Sequence, residues 1–182
     1  MTGDGLVIRP SCDGDIAAIT AIYGHHVQHG VASFEEVPPS EGEMARRRDV
    51  LLARGFPYLA AQRDGRVVGY CYAGPYRARI GYRFTVEDSI YIDPGEVGRG
   101  IGRALLSQVI DRVTEQGYRQ MIAVIGGSET LPSIRLHAAL GFARIGTFPG
   151  IGFKFGRWVD SVYMQRALGP GDAALPQEIT HG

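Results

Sequence analysis

The chain is poor in cysteine and in long apolar runs, and each shortage excludes a class of protein. No run of eighteen apolar residues occurs, so no membrane-spanning helix is predicted. The N-terminal segment lacks the basic and apolar regions of a secretory signal, so we expect a cytoplasmic protein without a membrane partner. Cys12 and Cys71 lie far apart without metal-ligand spacing, which argues against a disulfide framework or a zinc site. His25 and His29 are four residues apart on a predicted helix, but no third ligand accompanies them and no metal is assigned.

An excess of positive charge is also missing. Nineteen Lys and Arg side chains balance nineteen Asp and Glu side chains among 182 residues, so nothing is left over to neutralise phosphate backbones, and we expect no nucleic-acid partner. Lys154 is the single lysine. The other cations are guanidinium groups suited to forked recognition of carboxylate or phosphate, although compositional bias of the genome explains them more simply. With 45% apolar and 21% charged residues, the composition is that of one folded domain.

The hydrophobic pattern predicts a mixed α/β sheet flanked by helices. Ser11 or Asp13 can cap the first helix, and Ser40 with Glu43 forms a capping box for the second. Two further helices are expected to start near residues 98–102 and 132, the latter at a proline. The glycine-rich stretch 150–156 is predicted to connect the last two strands. Predicted strands cover 6–9, 58–63, 66–73, 85–92, 121–125, 143–148 and 159–165.

A glycine-rich loop from Gly98 to Arg103 lies between a predicted strand and a predicted helix. Unpaired N–H groups and the positive end of the helix dipole meet at such a loop, which makes it a candidate pyrophosphate site. No Gly-Lys-Ser/Thr ends the loop, and the third glycine of the dinucleotide fingerprint is missing, so ATP and NAD are disfavoured. The alternative is a glycine turn that only lets the helix pack on the strand.

Several motifs occur in a recognisable order around this loop: residues 85–92, 98–102, 133–137 and 140–142. Together they resemble the GNAT superfamily of N-acetyltransferases. Residues 76–79, 82–83, 85–87 and 152–158 are similar to those of phosphinothricin and methionine sulfone/sulfoximine acetyltransferases in particular. The resemblance covers about Val7 to Leu168 and implies the GNAT acyl-CoA N-acyltransferase fold, with a mixed, mostly antiparallel sheet. It predicts one acetyltransferase domain, residues 1–168, followed by a flexible tail, residues 169–182.

The resemblance also implies acetyl-CoA as co-substrate. Val97 stands where the family usually has Gln or Arg, but the loop acts mainly through backbone amides, so the cradle should remain. Relatives tend to carry Asn near Thr130, whose hydroxyl can offer one hydrogen bond to the pantetheine arm. The predicted cofactor-binding residues are Ile90, Tyr91, Ile92, Val97, Gly98, Arg99, Gly100, Ile101, Gly102, Arg103, Thr130 and Ser133.

Two residues are predicted to be catalytic. Glu87 lies in an otherwise apolar strand, where burial would raise its pKa, and the resemblance places a catalytic base there. The alternative is an ion pair between Glu87 and Arg77, Arg79 or Arg83. His137 is the predicted proton donor to the departing thiolate, because the relatives have histidine at this helix position; otherwise it is a packing residue. Asp88, on the opposite side of the strand, is interpreted as structural.

The acceptor site is predicted from three residues. Arg77 and Arg79 are two residues apart, so in an extended segment both project to one side and could bind a carboxylate or phosphinate, unless they only solvate the surface. Phe34 resembles the aromatic residue that walls the acceptor pocket in the relatives. A homodimer is expected because the relatives are dimers; the aromatics of residues 153–158 could serve that interface or the core.

The favoured interpretation is an enzyme that acetylates a small amino-acid-like amine by direct attack in a ternary complex. Acetylation of a peptide N-terminus or another amine is the alternative within the enzyme class. A non-catalytic acyl-CoA sensor is the alternative outside it, and the presence of both Glu87 and His137 favours the enzyme.

Overall fold

A seven-stranded sheet organises the molecule in this computed structural model, which describes residues 5–177 and 179. The strands lie in the order β1-β2-β3-β4-β5-β7-β6, and every neighbouring pair is antiparallel except β4 and β5. This arrangement matches the predicted mixed, mostly antiparallel sheet. In chain order the elements are β1 (Leu6–Pro10), α1 (Ile16–His29), α2 (Glu41–Ala53), β2 (Tyr58–Arg63), β3 (Arg66–Pro75), β4 (Thr85–Ile92), α3 (Ile101–Glu115), β5 (Gln120–Gly126), α4 (Leu131–Ala139), β6 (Ala143–Lys154) and β7 (Arg157–Ala167).

The two parallel strands separate part-way along their length. Pairing between β4 and β5 covers only Thr85–Glu87 against Gln120–Ile122, although β4 stays paired with β3 as far as Ile92 and β5 with β7 as far as Gly126. Beyond Glu87 the facing edges of the two strands therefore lack each other as hydrogen-bond partners. Because a polar group without a partner is costly when buried, such an opening is suited to a ligand that bonds with the backbone.

The helices cover the two faces of the sheet. On one face α3 buries an apolar stripe that includes Leu105, Leu106 and Val109, all fully buried, and α4 lies over the same cluster. On the other face α1 packs Ile19 and Val27 against a second cluster that is rich in tyrosine. Each fully buried side chain of this size contributes about 1.5–3 kcal/mol to folding. None of the helices in the described part of the chain is long and apolar enough to cross a membrane.

A buried arginine links the second helix to the residue that follows the first strand. Arg48 is 5% exposed, and its guanidinium donates to the side chain and the carbonyl of Ser11, both at 2.8 Å. Ser40 caps the helix as predicted, since its Oγ accepts from the Glu43 N–H. The Glu43 carboxylate does not complete the predicted capping box but binds Arg46 and Arg47 instead.

The prediction for the glycine-rich stretch is wrong. Most of residues 150–156 belong to β6, and a short turn at Phe155 and Gly156, both with positive φ, leads into β7. Glycine can indicate a connection, but here the strand continues through two register shifts in its pairing with β7. The strand β6 is consequently a long strand at the edge of the sheet.

The predicted flexible tail is described over residues 169–177 and 179, while residue 178 and residues 180–182 lie outside the described residues. Arg119 donates to the Leu175 carbonyl at 3.0 Å, and Ile179 packs against the core. These contacts do not test flexibility, which stays a prediction, as does the domain boundary at residue 168.

Candidate active site

A cavity of about 210 Å³ opens where β4 and β5 separate. Glu87 also lines a second, shallower cavity on the α2 side of the sheet, beside Arg47, Tyr72 and Ser89. Glu87 is therefore a residue common to the linings of both cavities. The first cavity is lined by four segments: Val31, Ala32 and Phe34 before α2; Glu87 to Tyr91 of β4; Ala123 to Gly126 of β5; and Thr130, Ser133 and His137 of α4 and its approach.

Glu87 has the environment of a proton acceptor. Burial, and then the neighbouring Asp88 charge, raise the pKa of Glu87 to about 7, against a smaller opposing effect of Arg77. Within the described chain no ion pair holds Glu87; the guanidinium of Arg77 lies over Tyr76 and that of Arg83 over Phe84. The alternative prediction of a salt-bridged Glu87 is therefore wrong. A carboxylate with a pKa near neutrality can exchange a proton readily at physiological pH.

The adjacent residue has the opposite environment. Asp88 is 6% exposed and its Oδ2 lies 3.0 Å from Nε2 of His137, which is 2% exposed. Nδ1 of His137 lies 2.8 Å from the Ser133 carbonyl, which can only accept. Both ring nitrogens therefore donate when the imidazole is protonated. Burial disfavours the charged ring, but the hydrogen bond and charge of Asp88, with the Ser133 carbonyl, outweigh it and raise the pKa of His137.

This pairing bears on the role predicted for His137. A proton donor to a leaving group needs an N–H that can reach it, and here both N–H groups are engaged. His137 is among the residues that line the cavity. The donor role stays a prediction, and it would require His137 to break its bond with Asp88 or Ser133.

The glycine loop has the backbone geometry of an anion site. Gly98 and Gly100 have φ of +82° and +78°, a conformation that favours glycine, and Gly100 is the N-cap of α3. Among the described residues no hydrogen bond engages the N–H groups from Gly98 to Arg103; the first paired amide is that of Ala104, bonded to the Gly100 carbonyl. Consecutive free N–H groups at the start of a fifteen-residue helix can bind a phosphate.

The remaining predicted cofactor-binding residues lie in the cavity, beside His26 and at the entrance to the glycine loop. Ile90, Tyr91, Thr130 and Ser133 line the cavity. The carbonyl of Ile92 lies 2.8 Å from Nε2 of His26, so it already has a partner. The Thr130 hydroxyl donates to the Gly126 carbonyl at 2.7 Å, which leaves its oxygen as an acceptor only. Elsewhere, Val97 is 58% exposed at the loop entrance and Arg99 contacts Glu96 at 3.3 Å.

The structure brings only part of the predicted acceptor site to the cavity. Phe34 lines it together with Glu87. Arg77 and Arg79 are exposed in the connection after β3, and of the two, Arg77 is close enough to affect the pKa of Glu87. Sequence analysis missed Arg47, which lies beside Glu87 in the second cavity and binds Glu35 at 2.6 Å. The Arg-rich composition of α2 was the only available signal.

The Asp88–His137 pair predicts a measurable titration. Asp88→Asn should lower the pKa of His137, because burial is then opposed by the Ser133 carbonyl without the carboxylate. The imidazole proton resonances in NMR spectra report this value directly. Asp111→Asn, which removes an exposed carboxylate on α3, is the matched control and should leave His137 unchanged. An equal His137 titration in the Asp88→Asn protein would show that Asp88 does not hold the proton.

Similarity to known proteins agrees with this geometry. A model of the "Acetyltransferase (GNAT) family" matches residues 25–142. The chain is 52% identical over 170 residues to a phosphinothricin N-acetyltransferase of Alcaligenes faecalis, covering 93% of this chain and 86% of the relative. It is 39% identical over 163 residues to an L-methionine sulfoximine/L-methionine sulfone acetyltransferase of Salmonella typhimurium, covering 90% and 95%.

A solved structure shares the fold closely. The crystal structure of a GNAT superfamily phosphinothricin acetyltransferase from Sinorhizobium meliloti, in complex with AcCoA, has a TM-score of 0.93 and 50% sequence identity, covering 96% of this chain and 94% of that one. The predicted family, fold class and enzyme class are thus confirmed. The chain belongs to the acetyltransferase (GNAT) family and is an acetyltransferase enzyme.

Proposed function

We propose that the enzyme transfers the acetyl group of acetyl-CoA to the amine of a small amino-acid-like molecule, by direct attack in a ternary complex. The observation that carries this proposal is Glu87, a carboxylate without an ion pair in the described chain and with a pKa of about 7, which lines both cavities at the point where β4 and β5 separate. The names of the relatives support phosphinothricin, methionine sulfone and methionine sulfoximine as acceptors.

The co-substrate fits the side of the cleft formed by α3 and α4. The free N–H groups from Gly98 to Arg103 would bind the pyrophosphate, and the unpaired edge of β4 after Glu87 would bond with the pantetheine arm. Thr130 and Ser133 border the same path. When bound, acetyl-CoA supplies the acetyl group as a thioester.

Side chains of the enzyme would then take up the proton that the acceptor amine loses. An alkylammonium cannot attack a thioester until it loses a proton, and Glu87 is placed to accept it. Phe34 would form the wall of the acceptor site beside Glu87. Arg77 and Arg79 would donate paired hydrogen bonds to the carboxylate or phosphinate of the acceptor molecule. The hydrogen bond and charge of Asp88 favour the protonated form of His137 beside the cavity.

The first test is turnover itself, followed by the Glu87→Gln variant. Purified enzyme with acetyl-CoA and methionine sulfone should release free thiol, measured colorimetrically. Glu87→Gln keeps the size of the side chain but cannot accept a proton, so kcat should fall by ~10²–10⁴ with acetyl-CoA affinity intact. Glu115→Gln, at an exposed position on α3, is the matched control and should retain full activity.

The pH profile sharpens this test. Because deprotonated Glu87 is the active form, wild-type activity should rise with pH through about 7, and this limb should be absent from the residual activity of Glu87→Gln. A variant with normal kcat and only a raised acceptor KM would mean that Glu87 binds the ammonium and that water takes the proton. Absence of turnover with every acceptor named above would overturn the proposed reaction.

The glycine loop can be tested with a closely matched pair of variants. A Cβ at Gly100 or at Gly65 would meet nothing within 4 Å, and φ is +78° and +79°, so alanine adds a similar strain of about 1–2 kcal/mol at each. Gly100→Ala should displace the loop amides and raise the acetyl-CoA KM at least ~10-fold. Gly65→Ala, in the β2–β3 turn, should leave that KM unchanged. Equal acetyl-CoA constants in the two variants would remove the loop from the co-substrate site.

The proposal includes a homodimer in the cytoplasm. The edge strand β6 and the start of β7 expose a row of apolar side chains, each more than half accessible, and an unprotected apolar edge strand is suited to pairing. Sedimentation of the wild type should give twice the mass of one chain. The Trp158→Glu variant should give a mass closer to that of a single chain. A wild-type monomer at micromolar concentration would contradict this part of the proposal. The row consists of Ile145, Phe148, Ile151, Phe153 and Trp158.

A further inference from the structure

The single lysine of the chain is buried beside the active site. Lys154 ends β6 and is 1% exposed. Its ammonium donates to the carbonyls of Gly30 at 2.9 Å and Ser33 at 2.6 Å, and it lies 5.0 Å from the centre of the Phe155 ring. No carboxylate among the described residues forms an ion pair with it. Burial lowers the pKa of this amine, and the nearby charges of Glu36 and Glu35 oppose that effect. The two carbonyls are the groups that bond with the ammonium directly.

These two carbonyls belong to the segment that walls the first cavity. Gly30 is the C-cap of α1, and Val31, Ala32 and Phe34, which follow it, line the cavity with Glu87. Lys154 thus binds this wall segment, residues 30–34, at its start and just before Phe34. The two ends are joined through one ammonium group on β6, which lies 124 residues from Gly30 and 121 from Ser33 in the chain.

Two glycines provide a close-fitting seat for the same segment. A Cβ on Gly126 of β5 would lie 1.9 Å from the Val31 carbonyl oxygen, and a Cβ on Gly152 of β6 would lie 2.4 Å from the Phe34 ring. Neither distance is tolerable for a real side chain, so the wall segment reaches this position only because both residues are glycine. The two glycines allow the close approach, and the Lys154 hydrogen bonds hold the wall segment in this position.

We propose that Lys154 is a positioning residue for acceptor recognition, which acts through residues 30–34 by holding Phe34 against the cavity that contains Glu87. This inference rests on the proposed function, because it treats that cavity as the acceptor site. Lys154 contacts neither the glycine loop nor Glu87. Its influence is therefore expected on the binding of the acceptor and not on the co-substrate or on proton transfer.

The test is Lys154→Met, which keeps the length of the side chain and removes the donors and the charge. The acceptor KM for methionine sulfone should rise ~10-fold, while kcat stays within ~3-fold and the acetyl-CoA KM is unchanged. Hydrogen exchange followed by mass spectrometry should show faster exchange at residues 31–36, with α3 as protected as in the wild type. Arg66→Met removes an exposed cation from β3 and is the matched control, expected to leave both measurements unchanged.

A second variant approaches the same wall from the opposite side. Gly152→Ala would place a methyl group where the Phe34 ring lies while leaving Lys154 intact, so it should reproduce the selective rise in acceptor KM. Normal acceptor KM with wild-type exchange at residues 31–36 in Lys154→Met would overturn the inference. A joint loss of kcat and acetyl-CoA affinity would do the same, since it would indicate a general structural role.

A measurement on the wild type covers the case in which Lys154→Met does not fold. A pulse of acetic anhydride acylates free amines, and mass spectrometry identifies modified Lys154 without ambiguity because the chain has no other lysine. Saturating methionine sulfone should slow this acylation several-fold relative to an equal concentration of ethanolamine, which consumes reagent equally. An equal rate with both would show that Lys154 is not coupled to the acceptor site. Thiol release by the wild type is assayed separately, so failure of the proposed function is distinguishable from failure of this inference.

Discussion

The separation of β4 from β5 after Glu87 is the constraint on which the rest of the site depends. Three paired residues on each strand hold the sheet together, and the next residues of the two strands face an opening. Strand β4 stays paired with β3 on its other side as far as Ile92. The glycine loop comes after this strand and leads into α3, and α4 comes after β5, with Thr130, Ser133 and His137 lining the opening.

The contrast between Glu87 and Asp88 follows from the alternation of side chains along β4. Successive residues face opposite sides of a strand, so one carboxylate turns toward the α1 and α2 side and the other toward α4. Asp88 meets a histidine there, and its Oδ2 lies 3.0 Å from Nε2 of His137. Glu87 meets no cation at hydrogen-bond distance among the described residues. Burial and then the Asp88 charge raise its pKa to about 7. Two adjacent acidic residues thereby serve different purposes: one stabilises the site, and the other remains available to a ligand.

Local pattern was enough to predict most of the fold and the position of Glu87. An apolar strand interrupted by one glutamate, a glycine-rich turn and a proline-led helix are all short-range signals, and each element lies where it was predicted. The pairing of Asp88 with His137 was missed because the two residues are 49 positions apart and meet only through the packing of α4. The strand character of residues 150–154 is not predictable from local pattern because repeated glycine is typical of a connection, whereas here Gly152 provides room for Phe34.

Burial of Lys154 has one more consequence, which concerns self-acetylation. An enzyme that works with a reactive thioester exposes its own surface to that reagent, and lysine ε-amines are its usual protein targets. This chain has eighteen arginines, which stay protonated at any physiological pH and are not nucleophilic, and one lysine, which is hidden between two carbonyls. The folded enzyme therefore presents acetyl-CoA with no accessible lysine among the described residues, and the amine of the acceptor meets no competing lysine amine.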